Sequence, residues 1–231
     1  MLNQLKVEKF KACRFWLMYI AVAVLAVAGF LFGFIKFPEE AMTDGIFSDV
    51  VCDTSFVFII TLVSAWFVAN DFFHRTIHNE IKVGYSRWSI IFSRTVTAFI
   101  MAMLLHLTYI IFSVAGFCAK WGFDSSVLTG QNLIWLAVVL LQICANVSFI
   151  MLIVFALKNI TAAISGAIIF SIISCNVLRN FISDGIFRLT CFSLAQDKST
   201  ETLLLSGMLA LAVIIVIMTA THLVFRKSEI K

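Results

Sequence analysis

Charge is scarce in this sequence, and the scarcity excludes most classes of protein. Only 13% of the 231 residues are Asp, Glu, Lys or Arg, whereas 61% are hydrophobic, and a single proline is present. A typical soluble domain carries about 25% charged and about 45–50% apolar residues. This chain therefore has too little charge to be a soluble enzyme, a disordered binding protein or a disulfide-rich secreted module. What remains is a protein that crosses a membrane several times.

Motifs for catalysis and metal binding are also missing. No glycine is followed by lysine, so the phosphate-binding loop G-x-x-x-x-G-K-[ST] is absent, and neither H-E-x-x-H nor G-x-S-x-G occurs. We therefore predict no catalytic residue, no metal site and no cofactor on this chain, and we do not expect it to be an enzyme. The six cysteines form no C-x-x-C pair, and the three near the predicted outer face are Cys52, Cys118 and Cys191. An odd number there predicts no disulfide framework.

Six stretches without Asp, Glu, Lys or Arg indicate membrane spans. A helix crosses the hydrocarbon layer of about 30 Å with about 20 residues, and these apolar runs do not alternate as the strands of a membrane barrel do. We therefore predict an all-α fold with six transmembrane helices in one domain, residues 1–231. The predicted spans are residues 15–35, 54–70, 95–117, 132–157, 160–178 and 202–225. The intervening segments of interest are residues 1–14, 71–94 and 179–201.

The distribution of lysine and arginine predicts the orientation of these spans. The N-terminus, the loop after the second span, the turn after the fourth and the C-terminal tail together hold 12 of the 17 basic residues. Short loops rich in lysine and arginine stay in the cytoplasm. Both termini and residues 71–94 are therefore predicted to be cytoplasmic, whereas residues 179–201 lie on the outer side.

Few strongly polar side chains lie within the predicted spans, and no carboxylate does. The four are His106, Gln142, Asn146 and Asn176, which are candidates for a substrate path. Gln142 and Asn146 are four residues apart and share one face of a helix, and this arrangement favours hydrogen bonding between helices over contact with a substrate. The lack of a carboxylate argues against an ion-coupled carrier. Gly29 and Gly33 form a G-x-x-x-G pattern, which favours close helix packing.

The loop after the second span is the most informative segment. As a helix, residues 70–94 place on one side Phe73, Ile77, Ile81, Tyr85 and Trp88, and on the other side Arg75, His78, Asn79 and Lys82. Gly84 is a natural helix stop, and Ser86 or Ser89 can cap the following helix. An amphipathic helix at this position can rest on lipid headgroups or bind a groove on a partner protein. The pattern alone does not separate these alternatives.

The same loop resembles the cytoplasmic loop of type-2 ABC exporter permeases. The resemblance is carried by Asp71, Arg75-Thr76-Ile77, Glu80-Ile81 and Gly84-x-Ser86-Arg87. In that family an acidic residue ends the second helix, and a turn with Ser-Arg leads into the third; Arg75 stands where glycine is commonest. The size of the chain, its six predicted spans and its cationic N-terminal segment are also similar to the family. The apolar patches of residues 179–201 resemble its short re-entrant helices.

The resemblance implies a permease subunit of an ATP-driven exporter. The implied partners are a soluble ATPase subunit, which holds ATP and magnesium, and a second permease, either an identical copy or a paralogue, in the plasma membrane of a prokaryote. Small permeases of this size resemble those of lantibiotic-immunity, bacitracin-resistance and cytolytic-peptide export systems. With so little charge in the spans, the expected substrate is an amphipathic or hydrophobic molecule such as an antimicrobial peptide.

The resemblance also assigns roles within residues 71–94. The expected ATPase-coupling residues comprise a docking face, polar contacts at its edge, two anchors to the second and third helices, and the threonine that begins the segment. The docking face is Phe73, Ile77 and Ile81, and the polar contacts at its edge are Arg75, Glu80 and Lys82. The two anchors are Asp71 and Arg87, and the threonine is Thr76. Alternatives are a stand-alone carrier or channel, and an immunity protein that binds a toxin without pumping it.

Overall fold

A computed structural model of the chain describes residues 2–36, 47, 49–122, 129–174, 194 and 199–227. These residues form helices joined by short connections, and no strand occurs among them. Within them we number eight helices: α1 Leu2–Arg14, α2 Trp16–Lys36, α3 Val57–Phe73, α4 Thr76–Lys82, α5 Arg87–Trp121, α6 Gly130–Leu157, α7 Ile160–Ile172 and α8 Thr200–Lys227. The all-α prediction is confirmed for this part of the chain.

Several of these helices are long and apolar enough to cross a membrane. By length and composition, four helices qualify: α2, α5, α6 and α8. Helices α3 and α4 are bent by 58° relative to each other, and they make a fifth span if the pair is counted as one. Helix α7 has 13 described residues and is shorter than a full span. The chain is thus a multi-pass helical membrane protein, while the count of six spans stays a prediction. The end of the predicted fifth span, with Asn176, and most of residues 179–201 fall outside the described residues.

Local capping signals explain why α5 is longer than the predicted third span. The Ser86 hydroxyl accepts a hydrogen bond from the Ser89 amide and starts the helix at Arg87, as one of the two predicted caps. Gly122, with φ of 91°, ends it. At 1.5 Å per residue the 35 residues extend about 52 Å, well beyond the hydrocarbon layer. The first turns of α5 therefore belong to the polar end of the bundle.

Helix α6 forms the centre of the bundle. In its most apolar window 67% of the residues are buried, against 22% in α2 and 17% in α8. It packs against α3, α5, α7 and α8. The outer helices α2 and α8 therefore present most of their apolar surface to the surroundings, as expected for helices that face lipid.

Small residues set the contact between α2 and α5. A Cβ atom on Gly29 would lie 2.7 Å from the Tyr109 carbonyl oxygen, and one on Gly33 would overlap the Ser113 carbonyl oxygen. From the other side, a Cβ on Gly116 would overlap the Phe30 carbonyl oxygen. The G-x-x-x-G pattern in α2 thus allows two helix backbones to touch, as predicted.

Candidate functional site at the basic end of the bundle

The candidate site surrounds α4, at the end of the bundle where α1 and the first turns of α5 also lie; we call it the basic end. Helix α3 stops at Phe73, and Arg75 adopts a left-handed conformation with φ of 56°, so the chain breaks before α4 as well as after it. After α4, Gly84 turns the chain with φ of 99°. The segment is therefore a short separate helix between two breaks.

A buried arginine ties α4 to the bundle. The side chain of Arg94, on α5, is 0% exposed. Its Nε donates to Asp71 Oδ2 on α3 at 2.8 Å, and its two terminal nitrogens donate to Glu80 of α4 at 2.9 and 3.0 Å. Such a two-pronged arginine–carboxylate pair fixes geometry as well as charge. Three helices are thus joined at one guanidinium group.

Helix α1 joins the same cluster from the side. Lys11 Nζ lies 3.1 Å from Glu8, 3.2 Å from Asp71 and 3.9 Å from Glu80, and the Glu8 carboxylate lies 3.7 Å from Arg94. We call these five side chains the charge network. It holds three carboxylates and two cations from α1, α3, α4 and α5.

Helix α1 faces the bundle with polar side chains rather than apolar ones. Its buried positions include Gln4 and Glu8, with Lys11 partly buried, and this spacing places all three on one side of a helix. The Gln4 amide oxygen accepts a hydrogen bond from the Ser89 hydroxyl at the start of α5. A search for an apolar stripe could not have identified this face, because α1 packs onto the charge network.

The surroundings of Glu8 in the charge network change the pKa of its carboxyl group. Burial raises the pKa of the Glu8 carboxyl above its ordinary value, and the Asp71 carboxylate adds to the rise, whereas Arg94 and Lys11 oppose it. The ionised form of Glu8 is thus disfavoured in the folded protein despite its two cationic neighbours. Folding therefore makes protonation of this carboxyl easier than it is in the unfolded chain.

An aromatic cluster that begins at Phe72, the neighbour of Asp71 along the chain, connects α3 with α6 and α8. The rings of Phe72, Phe155 and Phe225, from α3, α6 and α8, lie with centroids 5.2–6.4 Å apart and meet edge to face. Arg87 donates to the Phe225 and Arg226 carbonyl oxygens at 2.6 and 3.0 Å. Arg87, the first residue of α5, thus holds the end of α8, a contact that the sequence did not predict.

The structure divides the predicted coupling residues into inner and outer groups. Asp71 and Glu80 face inward in the charge network, and Ile77 is 0% exposed, so its assignment to a docking face is wrong. Ile81 is partly buried against the core, and Thr76 is partly buried at the start of α4. The bend after Phe73 turns this side of α4 onto the bundle.

The outward-facing residues of this segment form a separate surface. Between Phe73 and Ser86 the exposed large apolar side chains are Val83 at 76%, Phe73 at 66% and Tyr85 at 40%, and the exposed cations there are Arg75 and Lys82. We call these five residues the rim. Val83 was not predicted, because the helical pattern placed it on neither of the two sides that were described.

The polar residues predicted within the spans are buried in the bundle. His106 Nε2 lies 3.3 Å from the Val51 carbonyl oxygen. The Asn146 amide donates to the Gln142 carbonyl oxygen, one turn earlier in the same helix, and both side chains are buried. Asn176 lies outside the described residues. These observations place the three described residues among packed side chains.

Sequence reasoning missed Glu8, Lys11 and Arg94, which complete the charge network. The Glu8–Lys11 spacing of three was a local signal for an ion pair, but nothing local connects either residue with Arg94. Within the described ranges, no group of three His, Cys, Asp or Glu side chains is placed to hold a metal ion. No family model, curated protein or solved structure matches the chain significantly.

Proposed function

We propose that this chain is the membrane permease subunit of an ATP-driven ABC exporter, with the rim as the surface that binds a separate ATPase. The observation that carries the proposal is the connection of α4 to three other helices through the charge network, next to exposed apolar and cationic side chains. Together with the resemblance of residues 71–94 to type-2 permeases, this arrangement suits a segment that receives force from a partner.

The charge network provides the mechanical link. Glu80 is held by two parallel hydrogen bonds from Arg94, so a displacement of α4 must move α5 or break buried charged bonds. Helix α5 continues from this point through the membrane. Nucleotide binding to the ATPase would therefore shift the population of bundle conformations through α4 and α5.

The chemistry of the rim indicates the surface it would bind. Phe73, Val83 and Tyr85 supply the apolar area, and Arg75 and Lys82 supply positive charge. Glu80 lies nearby but is turned toward Arg94, so it does not neutralise that charge. The complementary groove on the ATPase should thus be apolar with acidic residues at its edge.

The transported substrate is proposed to be amphipathic or hydrophobic, such as an antimicrobial or cytolytic peptide. The near-absence of charged residues within the predicted spans suits such a molecule, because a sugar or a small ion needs a more polar lining. We propose that a second permease subunit completes the transport path, and that ATP and magnesium are bound by the ATPase. The location that fits this assembly is a prokaryotic plasma membrane.

Co-purification with the ATPase tests the proposal. The tagged chain is expressed in its native host, and the ATPase is identified by mass spectrometry and by nucleotide-dependent hydrolysis. Phe73→Asp with Val83→Asp should abolish recruitment, and Arg75→Glu with Lys82→Glu should weaken it. The matched control is Ile35→Asp, because Ile35 is 71% exposed at the opposite end of α2.

The outcomes separate the leading proposal from its alternatives. Retention of the ATPase by Phe73→Asp/Val83→Asp would contradict the proposed docking surface. Transport by the purified chain alone in liposomes would instead support a stand-alone carrier. Protection against a toxin without any nucleotide requirement would support an immunity protein that does not pump.

A further inference from the structure

Helix α1 presents a second surface that neither the charge network nor the rim includes. The side of α1 opposite its inward polar face is exposed. It carries Phe10 together with Lys6, Val7, Lys9, Cys13 and Arg14. Phe10 is 58% exposed and Val7 is 51% exposed. This side of α1, which we call the outer α1 face, thus combines exposed apolar groups with three cations.

The charge of the outer α1 face is uncompensated in the described part of the chain. Glu8 is the only acidic residue of α1 and is turned inward to Lys11 and Arg94. No ion pair involves Lys6, Lys9 or Arg14 among the residues that the structure describes. The Arg14 guanidinium lies 4.3 Å from the centroid of the Phe10 ring, which places a positive charge over an exposed apolar group.

The position of α1 along the bundle matches the membrane surface. It contacts α5 at Ser89 and Arg94, immediately before the charge-free stretch that begins at Thr95. Trp16 and Tyr19 follow α1 and are 64% and 60% exposed, and such aromatic residues are enriched at the boundary between lipid and water. The Tyr19 hydroxyl donates to the Cys13 carbonyl oxygen at 2.6 Å, which ties the start of α2 to the end of α1.

We infer that the outer α1 face binds the headgroups of anionic phospholipids. Lys6, Lys9 and Arg14 would contact lipid phosphates, while Phe10 and Val7 enter the headgroup region. The charge complementarity and the neighbouring Trp16 and Tyr19 both favour a lipid surface as the occupant. This inference does not depend on the proposed transport function, because it uses none of the rim residues.

Lipid binding to the full-length chain tests the inference. The purified protein is titrated in mild detergent with phosphatidylglycerol, and separately with phosphatidylcholine, while bound lipids are counted by native mass spectrometry. A lysine or arginine near an anionic surface contributes about fivefold in affinity. We therefore expect Lys6→Gln/Lys9→Gln to weaken phosphatidylglycerol binding by about 25-fold, with little change for phosphatidylcholine.

The matched control is Lys36→Gln/Lys120→Gln, which removes two lysines from the opposite ends of α2 and α5. This control should bind phosphatidylglycerol as the wild type does, and Arg14→Gln alone should show about a fivefold loss. The inference is overturned if Lys6→Gln/Lys9→Gln binds like the wild type, or if the wild type does not prefer the anionic lipid. Loss of ATPase recruitment with unchanged lipid binding would assign this face to the partner protein instead. Thermal unfolding of each variant verifies that the fold is intact.

Discussion

Replacement of Arg94 by methionine provides the sharpest test of the charge network. The side chain is fully buried and makes three hydrogen bonds to Asp71 and Glu80 at 2.8–3.0 Å. Without it, three carboxylates would share Lys11 as their one remaining cation in the network, and Lys11 is 27% exposed. Breaking a buried ion pair from one side costs about 3–5 kcal/mol, because the partner charge stays buried.

Two related variants test whether that loss of stability comes from the charge network. Arg94→Lys keeps the charge but not the two-pronged geometry, so we expect about 1.5–3 kcal/mol. The double variant Arg94→Met/Glu80→Gln removes one of the orphaned carboxylates. Its loss in the free energy of unfolding should therefore be smaller, by about 1–3 kcal/mol, than the sum of the losses in the two single variants.

The measurement is the free energy of unfolding of the full-length chain in bicelles. Arg226→Met is the matched control, because Arg226 is an exposed arginine and a surface substitution changes stability by about 0.5 kcal/mol or less. A loss below about 1 kcal/mol for Arg94→Met, or strict additivity in the double variant, would refute the role given to the network.

Three further predictions concern other contacts, two measured by the free energy of unfolding and one by hydrogen exchange. Gly116→Ala should cost about 1–3 kcal/mol by pushing α2 away from α5, whereas Gly207→Ala, whose Cβ would lie 3.8 Å from its nearest neighbour, should be neutral. Because the pKa of Glu8 is raised in the folded protein, the contribution of Glu8 to the free energy of unfolding is complete at low pH and is lost as pH rises through that pKa. Glu8→Gln should therefore gain stability relative to the wild type as pH rises, and a difference that stays constant with pH would contradict this. Arg87→Met should speed hydrogen exchange in the last turns of α8, since two carbonyl bonds are lost; unchanged exchange there would argue against that anchor.

The sequence alone determined which segments enter the membrane. Length and apolarity identify α2, α5, α6 and α8, because a charge-free helix of about 20 residues has no other stable environment. Capping chemistry is also local, so Ser86 and Gly84 were recognisable as helix boundaries without any tertiary information. The spacing of Gly29 and Gly33 indicated that α2 packs closely against a helix, but not that this helix is α5.

Only the tertiary structure decided which way the helices of the basic end face. The family resemblance assigned Ile77 to a docking face, but the bend after Phe73 turns that side onto the core, where Ile77 is fully buried. Likewise, α1 has no apolar stripe because its partners are charged. Hydrophobic periodicity predicts a buried face when the neighbour is apolar, and it is uninformative when burial is driven by ion pairs.

The charge network illustrates the same limit most clearly. Along the chain, Lys11 is 60 positions from Asp71 and Arg94 is 23 positions from Asp71, so neither spacing predicts a contact. The sequence determined that these side chains lie at one end of the bundle, because a charge cannot stay in hydrocarbon without a partner. Their pairing depends on how the helices pack together, and packing brings five side chains from four helices within reach of one another.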